Sequence, residues 1–364
     1  MKTSYSLTIL LCGLMYGTAN AQQWYYGDLH GHTKYSDGKM TLRQYFNFAK
    51  DSSSLDFVAI TDHDALLSTY EWDTTKVVVD SFNSLGSIVT YLGFEWSSDN
   101  RIFFTGDSFG HKCVYYPNTT NRKIFKAGDW WTNNPTELFD SVSAHGGLVQ
   151  ANHPQWSYLS TNWNFHDDKV QTGCEIVGLG NSTFEIGDSS LPAGLKRGYH
   201  FGMIGSSDTH DSIGSGFGPG RRGLTAVYAN AKNRDSIFAA IKRRHFYAVS
   251  AQDSAKSKTK LYFKVNGCFM GEICVKDTIP KIFVCDTSTS NLTSIKIQKI
   301  TSDNVSTLTT FSPTGTTFKD SCYDNNFDTT RAWACYYAKI FQNGDSSATV
   351  NRRNNLAWSS PVWV

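Results

Sequence analysis

Between Trp24 and Ala251, short apolar runs alternate with segments of helical periodicity, and histidines and carboxylates recur just after the apolar runs. The runs predict strands at Trp24–Leu29, Phe57–Ile60, Ile88–Leu92, Lys112–Tyr116, Leu148–Ala151, Glu175–Leu179, Met203–Gly205 and Leu224–Tyr228. Helices are predicted in the amphipathic segments Leu42–Ala49, Pro135–Ala144 and Asp235–Arg243. In the last of these, Ile237, Ala240 and Ile241 fall on one face. Lys242, Arg243 and Arg244 close it, where cations favour the helix dipole. Strand–helix alternation over this length predicts an α/β fold with a parallel sheet, closed or open.

Five of the expected strands lead into potential metal ligands: His30-Gly31-His32, Asp62-His63, Glu95 (after a turn), His153 and Asp208-Thr209-His210. In a parallel α/β barrel the C-terminal strand ends converge on one rim, so such residues meet in space. In a His-x-His pair on extended backbone, both imidazoles point the same way. Imidazole with carboxylate suits zinc, manganese or iron, and a carboxylate can bridge two ions. A lone loop histidine is usually just hydrogen-bonded, and a neighbouring Asp is often a turn former. Recurrence at strand after strand is what turn chemistry does not explain, and it favours a metal site.

After the polar stretch Gln252–Thr259 the pattern changes. Leu261–Val265, Ile282–Val284, Ile295–Ile300, Ala332–Ile340 and Trp358–Val364 read as strands between Gly/Asn/Asp/Ser turns, without helices. Residues 258–364 are therefore expected to form a small all-β sandwich behind a domain spanning 22–252. Residues 1–21 read as a signal peptide: Lys2 at the start, an apolar run from Leu7 to Leu14, and a small-x-small site at Ala19-Asn20-Ala21. This predicts a secreted or periplasmic protein, and no later segment has the ~20 apolar residues that a membrane helix needs. Downstream of that site lie Cys113, Cys174, Cys268, Cys274, Cys285, Cys322 and Cys335, an odd number, so one at least is unpaired or pairs between chains. Closeness in sequence predicts the disulfides Cys268–Cys274 and Cys322–Cys335. The net charge of +2 and the absence of a Lys/Arg run give no nucleic-acid patch.

The segments Gly27-Asp28-Leu29-His30-Gly31-His32-Thr33, Ser36-Asp37-Gly38, Thr61-Asp62-His63-Asp64, Gly93-Phe94-Glu95-Trp96, Asn152-His153-Pro154 and Ser207-Asp208-Thr209-His210 resemble, in order and spacing, the motifs of the PHP (polymerase and histidinol phosphatase) superfamily. The resemblance spans about residues 24–250 and implies a distorted (β/α)7 barrel holding two or three divalent ions. Carried over by position, His30, His32, Glu95 and Asp208 would hold one ion. Glu95 would bridge to a second ion, completed by His111 and His153, and Asp37, His63 and His210 would hold a third. The stretch from Gly223 to Arg244 and the closing Ala357–Val364 are similar to an exported branch, the CehA/McbA-like metallohydrolases, whose named members cleave an aryl carbamate ester.

Three functions follow as expectations. The superfamily implies water-dependent cleavage of a small phosphoester, and the branch implies cleavage of a carboxyl ester or carbamate. The third is a catalytically idle, metal-stabilised surface-binding protein. Asp28 and Asp62 are candidates for orienting imidazoles. Asp64 is a candidate proton shuttle or turn former. Arg221 and Arg222, in a Gly-rich loop, are candidates for gripping an anionic substrate or are simply solvated.

Overall fold

The computed structural model describes residues 22–98, 108–156, 159–178, 182–211, 222–251, 259–275, 278–343 and 356–364. The expected leader (1–21), most of the polar linker and Arg221 lie outside these residues. The first part of the chain forms β1 (Gln23–Asp28), α1 (Leu42–Asn47, continued by a π-helical turn at Phe48–Ser52), β2 (Phe57–Ile60), α2 (Thr69–Ser84), β3 (Val89–Ser98), β4 (Gly110–Tyr116), α3 (Pro135–Ala144), β5 (Leu148–Ala151), β6 (Gln171–Gly178), β7 (Ser182–Thr183), α4 (Leu191–Leu195), β8 (Gly202–Gly205), β9 (Arg222–Ala229), α5 (Arg234–Lys242) and β10 (Phe246–Ala251). The remainder is all strand: β11 (Lys260–Val265), β12 (Cys268–Phe269), β13 (Lys281–Thr287), β14 (Leu292–Ile300), β15 (Val305–Phe311), β16 (Thr317–Tyr323), β17 (Cys335–Gln342), β18 (Leu356–Ser359) and β19 (Val362–Trp363). The fold is mixed α/β, with far more sheet than helix.

The helices start where side chains satisfy their free amides. Thr41 with Gln44 and Ser68 with Glu71 form capping boxes, while Asn134 and Asn233 cap α3 and α5. The longest helix, α2, lacks a clear sequence signal because its Thr and Val residues favour extended backbone. Its cap, and the burial of Trp72, Thr75, Val78, Val79 and Phe82 along one face, override that preference.

The sheet around the candidate site is mixed, which corrects the expectation of a parallel one. β1–β2–β3 and β5–β6–β8 are parallel sets, but β4 runs antiparallel between β3 and β5, and β9 runs antiparallel to β1. A parallel bridge between Gly31 and Thr209 ties the segment leaving β1 to the segment leaving β8. The reversal of β4 has a direct consequence. Its first residues, Gly110 and His111, pair with Ser98 and Ser97 at the far end of β3. The start of β4 therefore lies on the same edge as the ends of β2 and β3.

The C-terminal strands are continuous with this sheet, since β10 pairs with β18 and the order runs on through β17 and β14 to β15. A second sheet, β12–β11–β13–β16, packs against it. Alternating residues Leu261, Phe263, Ile282 and Val284 share one core with Ile295, Ile297, Ala338 and Ile340. The strands β15 and β16 were not expected: their Ser- and Thr-rich sequences are largely solvent-facing and show no apolar alternation. Cys268 and Cys274 are disulfide-bonded as expected. Cys322 and Cys335 are not, because Cys322 pairs with Ile282 in the four-stranded sheet and Cys335 pairs with Ile300 in the larger one. Among the described residues no helix is long and apolar enough to cross a membrane.

Where the two sheets meet β1 and β10, Asp286 is wholly buried and accepts a hydrogen bond from Thr259 Oγ1. Burial pushes its carboxyl up to about 7. An acid whose folded pKa is raised takes up a proton on folding, so its penalty is absent below the unfolded value of about 4. The penalty grows as pH rises towards 7 and is constant above it. Asp286→Asn should therefore flatten the fall in stability across that window, by about 2–4 kcal/mol at its upper end. Urea unfolding at a series of pH values measures this, and parallel profiles for both proteins would contradict it.

Candidate metal centre

The strand–loop junctions deliver the expected ligands to one place. His30 and His32 follow β1 on either side of Gly31, where a Cβ would sit 2.5 Å from the Tyr45 hydroxyl. Tyr45 is itself fixed by donating to Ala59 O at 2.8 Å, so only glycine lets the His-x-His segment pass. Glu95 is not beyond its strand, as expected, but inside β3, which continues to Ser98. His63 follows β2 and forms a parallel bridge with Glu95. His111 comes from the start of the reversed strand β4. His153 and Asp208 follow β5 and β8 with φ of +24° and +49°, in the left-handed region that costs a non-glycine residue ~1 kcal/mol or more.

Glu95 is the hub. Its Oε1 lies 3.3 Å from His30 Nε2, 3.2 Å from His111 Nδ1 and 3.4 Å from His153 Nε2. Its Oε2 lies 3.4 Å from His32 Nε2 and 3.1 Å from His63 Nδ1. Asp208 Oδ1 lies 3.1 Å from His32 Nε2 and 3.4 Å from His30 Nε2, and those two imidazole nitrogens are 3.2 Å apart. A second group lies alongside: Asp37 is 3.2 Å from His210 Nε2, 3.6 Å from His63 Nε2 and 3.8 Å from His32 Nδ1. Three ligand groups result, namely His30/His32/Glu95, His63/Glu95/His111 and His32/Asp37/His63/His210. His32 and His63 each belong to two of them. All nine expected ligand residues are thus brought together, although His63, expected only in the outer group, also faces Glu95.

The donor set fits divalent cations. Two facing imidazole nitrogens cannot both carry a proton on the line between them, and carboxylate oxygens at 3.1–3.4 Å close the same gap. Such separations match ligand–ligand edges around an ion with bonds of about 2.0–2.2 Å. The electrostatics agree. Burial alone would raise the Glu95 carboxyl, but the imidazoles of His30, His63 and His111 hold it well below the usual carboxylate range. Burial and the neighbouring His63 and His210 imidazoles push His32 down to about 3. The outer group is wetter, with the Asp37 side chain 47% and that of His210 33% exposed, against 1% for Glu95.

The other expected residues behave differently. Asp28 and Asp62 do not touch imidazoles. Asp28 accepts the amides of His30 and Ser207, clamping the loop after β8 to that after β1. Asp62 accepts Thr33 N, Thr33 Oγ1 and Ser36 Oγ, and so holds the turn that carries Asp37. Asp64 is wholly buried and accepts Ser97 N and Ala127 N, so it braces the rim. Arg222 opens β9, and Arg221 lies outside the described residues.

Two participants were missed in the sequence. Asn152 donates to Glu95 Oε1 at 2.6 Å, and Glu175, on β6, lies 2.8 Å from His30 Nδ1. The available signal was Glu175 itself, a charge inside a strand that is buried throughout and must therefore be paired.

Substitutions should separate the groups. Glu95→Ala removes a residue common to two groups and should lower the bound-ion count by more than Asp37→Ala, which should cost one ion. Elemental analysis of the purified proteins reads this directly. Chelator treatment of the wild type should lower its Tm, since an ion at 100 times its Kd stabilises by about 2.7 kcal/mol. An unchanged Tm and equal counts in both variants would contradict the grouping.

No family model matches the chain. An uncharacterised protein of Chlamydia pneumoniae is 23% identical over 375 residues, covering 93% of this chain and 57% of the relative. The chain thus spans a little over half the length of that relative. A solved two-domain protein of Bacteroides vulgatus, described as containing a predicted PHP-like metal-dependent phosphoesterase, is 16% identical, with a TM-score of 0.46 over 93% of this chain and 95% of that one. Endonuclease Q, bound to a 27-mer duplex with an abasic lesion, is 15% identical, with a TM-score of 0.41 over 60% of this chain and 57% of that one. In the order of its motifs and in the ligand groups they build, the chain resembles the PHP superfamily.

Proposed function

We propose that the chain is a PHP-type metal-dependent hydrolase that cleaves a small phosphoester, with residues 22–252 as its distorted (β/α)7 barrel and 258–364 as a β-sandwich. The observation that carries this reading is Glu95, a buried carboxylate within 3.4 Å of five imidazole nitrogens. Zinc, manganese or iron would be held by His30, His32, Glu95 and Asp208, by His63, His111 and His153 with Glu95, and by Asp37 and His210 with His32 and His63 on the wetter side. Divalent ions so held lower the pKa of water and stabilise charge on a substrate oxygen. Export to an oxidising compartment is supported by the Cys268–Cys274 disulfide.

In this reading the residues divide the work by burial. The inner imidazoles and Glu95 hold the ions away from solvent, and substrate approaches past Asp37 and His210. Asp62 sets the position of Asp37 through the Thr33–Ser36 turn. Asp28 keeps the two ligand-bearing loops together. Arg221 and Arg222, candidates from the sequence alone, would supply paired donors to the phosphoryl oxygens.

Turnover of nitrophenyl phosphate that is abolished by chelator and restored by zinc or manganese is the expected result. Faster chelator-sensitive turnover of nitrophenyl acetate would favour the carboxyl-ester or carbamate alternative, and no turnover of either after reconstitution would favour an idle binding protein. Replacing Arg221 and Arg222 with Ala should raise KM for the phosphoester roughly 10-fold or more, the scale of one lost charge-assisted hydrogen bond. An unchanged KM removes them from substrate binding.

A further inference from the structure

The wholly buried carboxylate of Glu175 touches none of the expected ion positions, yet it meets the centre from behind at two points. Its Oε1 lies 2.8 Å from His30 Nδ1 and accepts from Gln150 Nε2 at 2.9 Å and Ser206 Oγ at 2.5 Å. Its Oε2 accepts the backbone N–H of His153 at 2.5 Å. His153 is the residue whose φ of +24° is otherwise unfavourable. We propose that Glu175 is the positioning residue of the inner centre, fixing the tautomer of His30 and the backbone turn that presents His153.

The chemistry follows from the donors. Apart from the His30 imidazole, the described partners of Glu175 are neutral N–H and O–H groups pointing at it. A carboxylate accepts, so His30 must donate through Nδ1–H. That leaves the lone pair on Nε2, the atom facing Glu95 Oε1 at 3.3 Å and Asp208 Oδ1 at 3.4 Å. A carboxylate behind the ring also makes Nε2 a stronger donor towards a cation. The second contact acts on geometry. His153 N has no strand partner in its turn, and Glu175 Oε2 supplies one, holding the residue in a conformation that brings Nε2 to 3.4 Å from Glu95. Gln150 extends the brace, since its Nε2 also donates to Asn152 Oδ1 at 3.1 Å, and Asn152 in turn donates to Glu95. One side chain thus sets ligands from β1 and β5 against the same carboxylate. Its described hydrogen bonds reach the inner ligands His30 and His153, whereas Asp37, His63 and His210 make up the outer group.

This rests on the metal-centre reading above, and its test keeps the two apart. Glu175→Gln preserves shape and removes charge, and Glu175→Asp preserves charge and withdraws it from His30. Zinc binding is measured by competition with a chromogenic chelator, alongside the Tm of the metal-free proteins and the ring N–H resonances of 15N-histidine-labelled protein. Expected is a 10–100-fold loss of affinity in Glu175→Gln, confined to the tighter ions. The outer ion and the metal-free Tm should stay near wild type, and the Nδ1–H signal of His30 should shift. Wild-type affinity in both variants, or a wild-type His30 protonated at Nε2 instead, would overturn the role of Glu175. Equal weakening of every ion together with a lower metal-free Tm would also overturn it, as a general structural role. If Glu175→Gln fails to fold, the Glu175→Asp affinities and the wild-type resonance decide alone. Wild-type protein that takes up no ion would overturn the metal reading beneath it, a separate result.

Discussion

Burying the Glu95 carboxylate costs several kcal/mol unless opposite charge or donors surround it, and the fold supplies five imidazoles for that purpose. Those imidazoles come from the ends of β1, β2 and β5 and the beginning of β4, so satisfying one side chain demands that four strands share an edge. The clamp of Asp28 across the loops after β1 and β8, the bridge from Gly31 to Thr209 and the seat of Asp64 under Ser97 all serve that convergence. Much of the polar network at this edge has little stabilising value alone. Its worth lies in making one arrangement of the ligands the cheapest one available.

The reversal of β4 shows why the site was more legible than the sheet. His111 was expected at the site only through the family resemblance, and a parallel β4 would have put it at the opposite edge, a strand length from Glu95. The antiparallel register Ser97↔His111 is what reconciles position in sequence with position in space. Strand direction leaves no mark on hydrophobic pattern, whereas the order and spacing of the ligand motifs can be matched without it. The same holds for Glu95, whose place inside β3 was obscured because Gly93 reads as a turn. That glycine lies flat in the strand, where a Cβ would meet Val114 O at 2.4 Å.

The residues misjudged from sequence were the carboxylates with more than one job open to them. Asp28 and Asp62 stand next to imidazole ligands in the chain, which favours reading them as partners of those rings. In space, backbone amides and the Thr33 and Ser36 hydroxyls reach them first. Glu175, distant from every motif, occupies the role expected of them. Asp62 adjoins His63, and sequence neighbours on a strand point to opposite faces, so it is poorly placed to support that ring, while Asp28, two residues before His30, is taken up by the amides of His30 and Ser207. A residue on the adjacent strand of the same face is well placed, and β6 is that strand for His153, since β5 and β6 are paired in parallel.

Exposure divides the centre into parts with different consequences. The inner groups are sealed: Glu95, His30 and His32 are all buried to within 1% of full coverage, so their charges interact through protein and not through water. The outer group shares His32 and His63 with them but ends in Asp37 and His210, which solvent reaches. An ion held on the outer side would therefore exchange through water, while one held by the inner groups would be set by the scaffold. The rings of His63 and His210 stack on that of His32, with centroids 4.5 and 4.1 Å away, so one continuous layer of imidazoles joins the outer group to the inner ones.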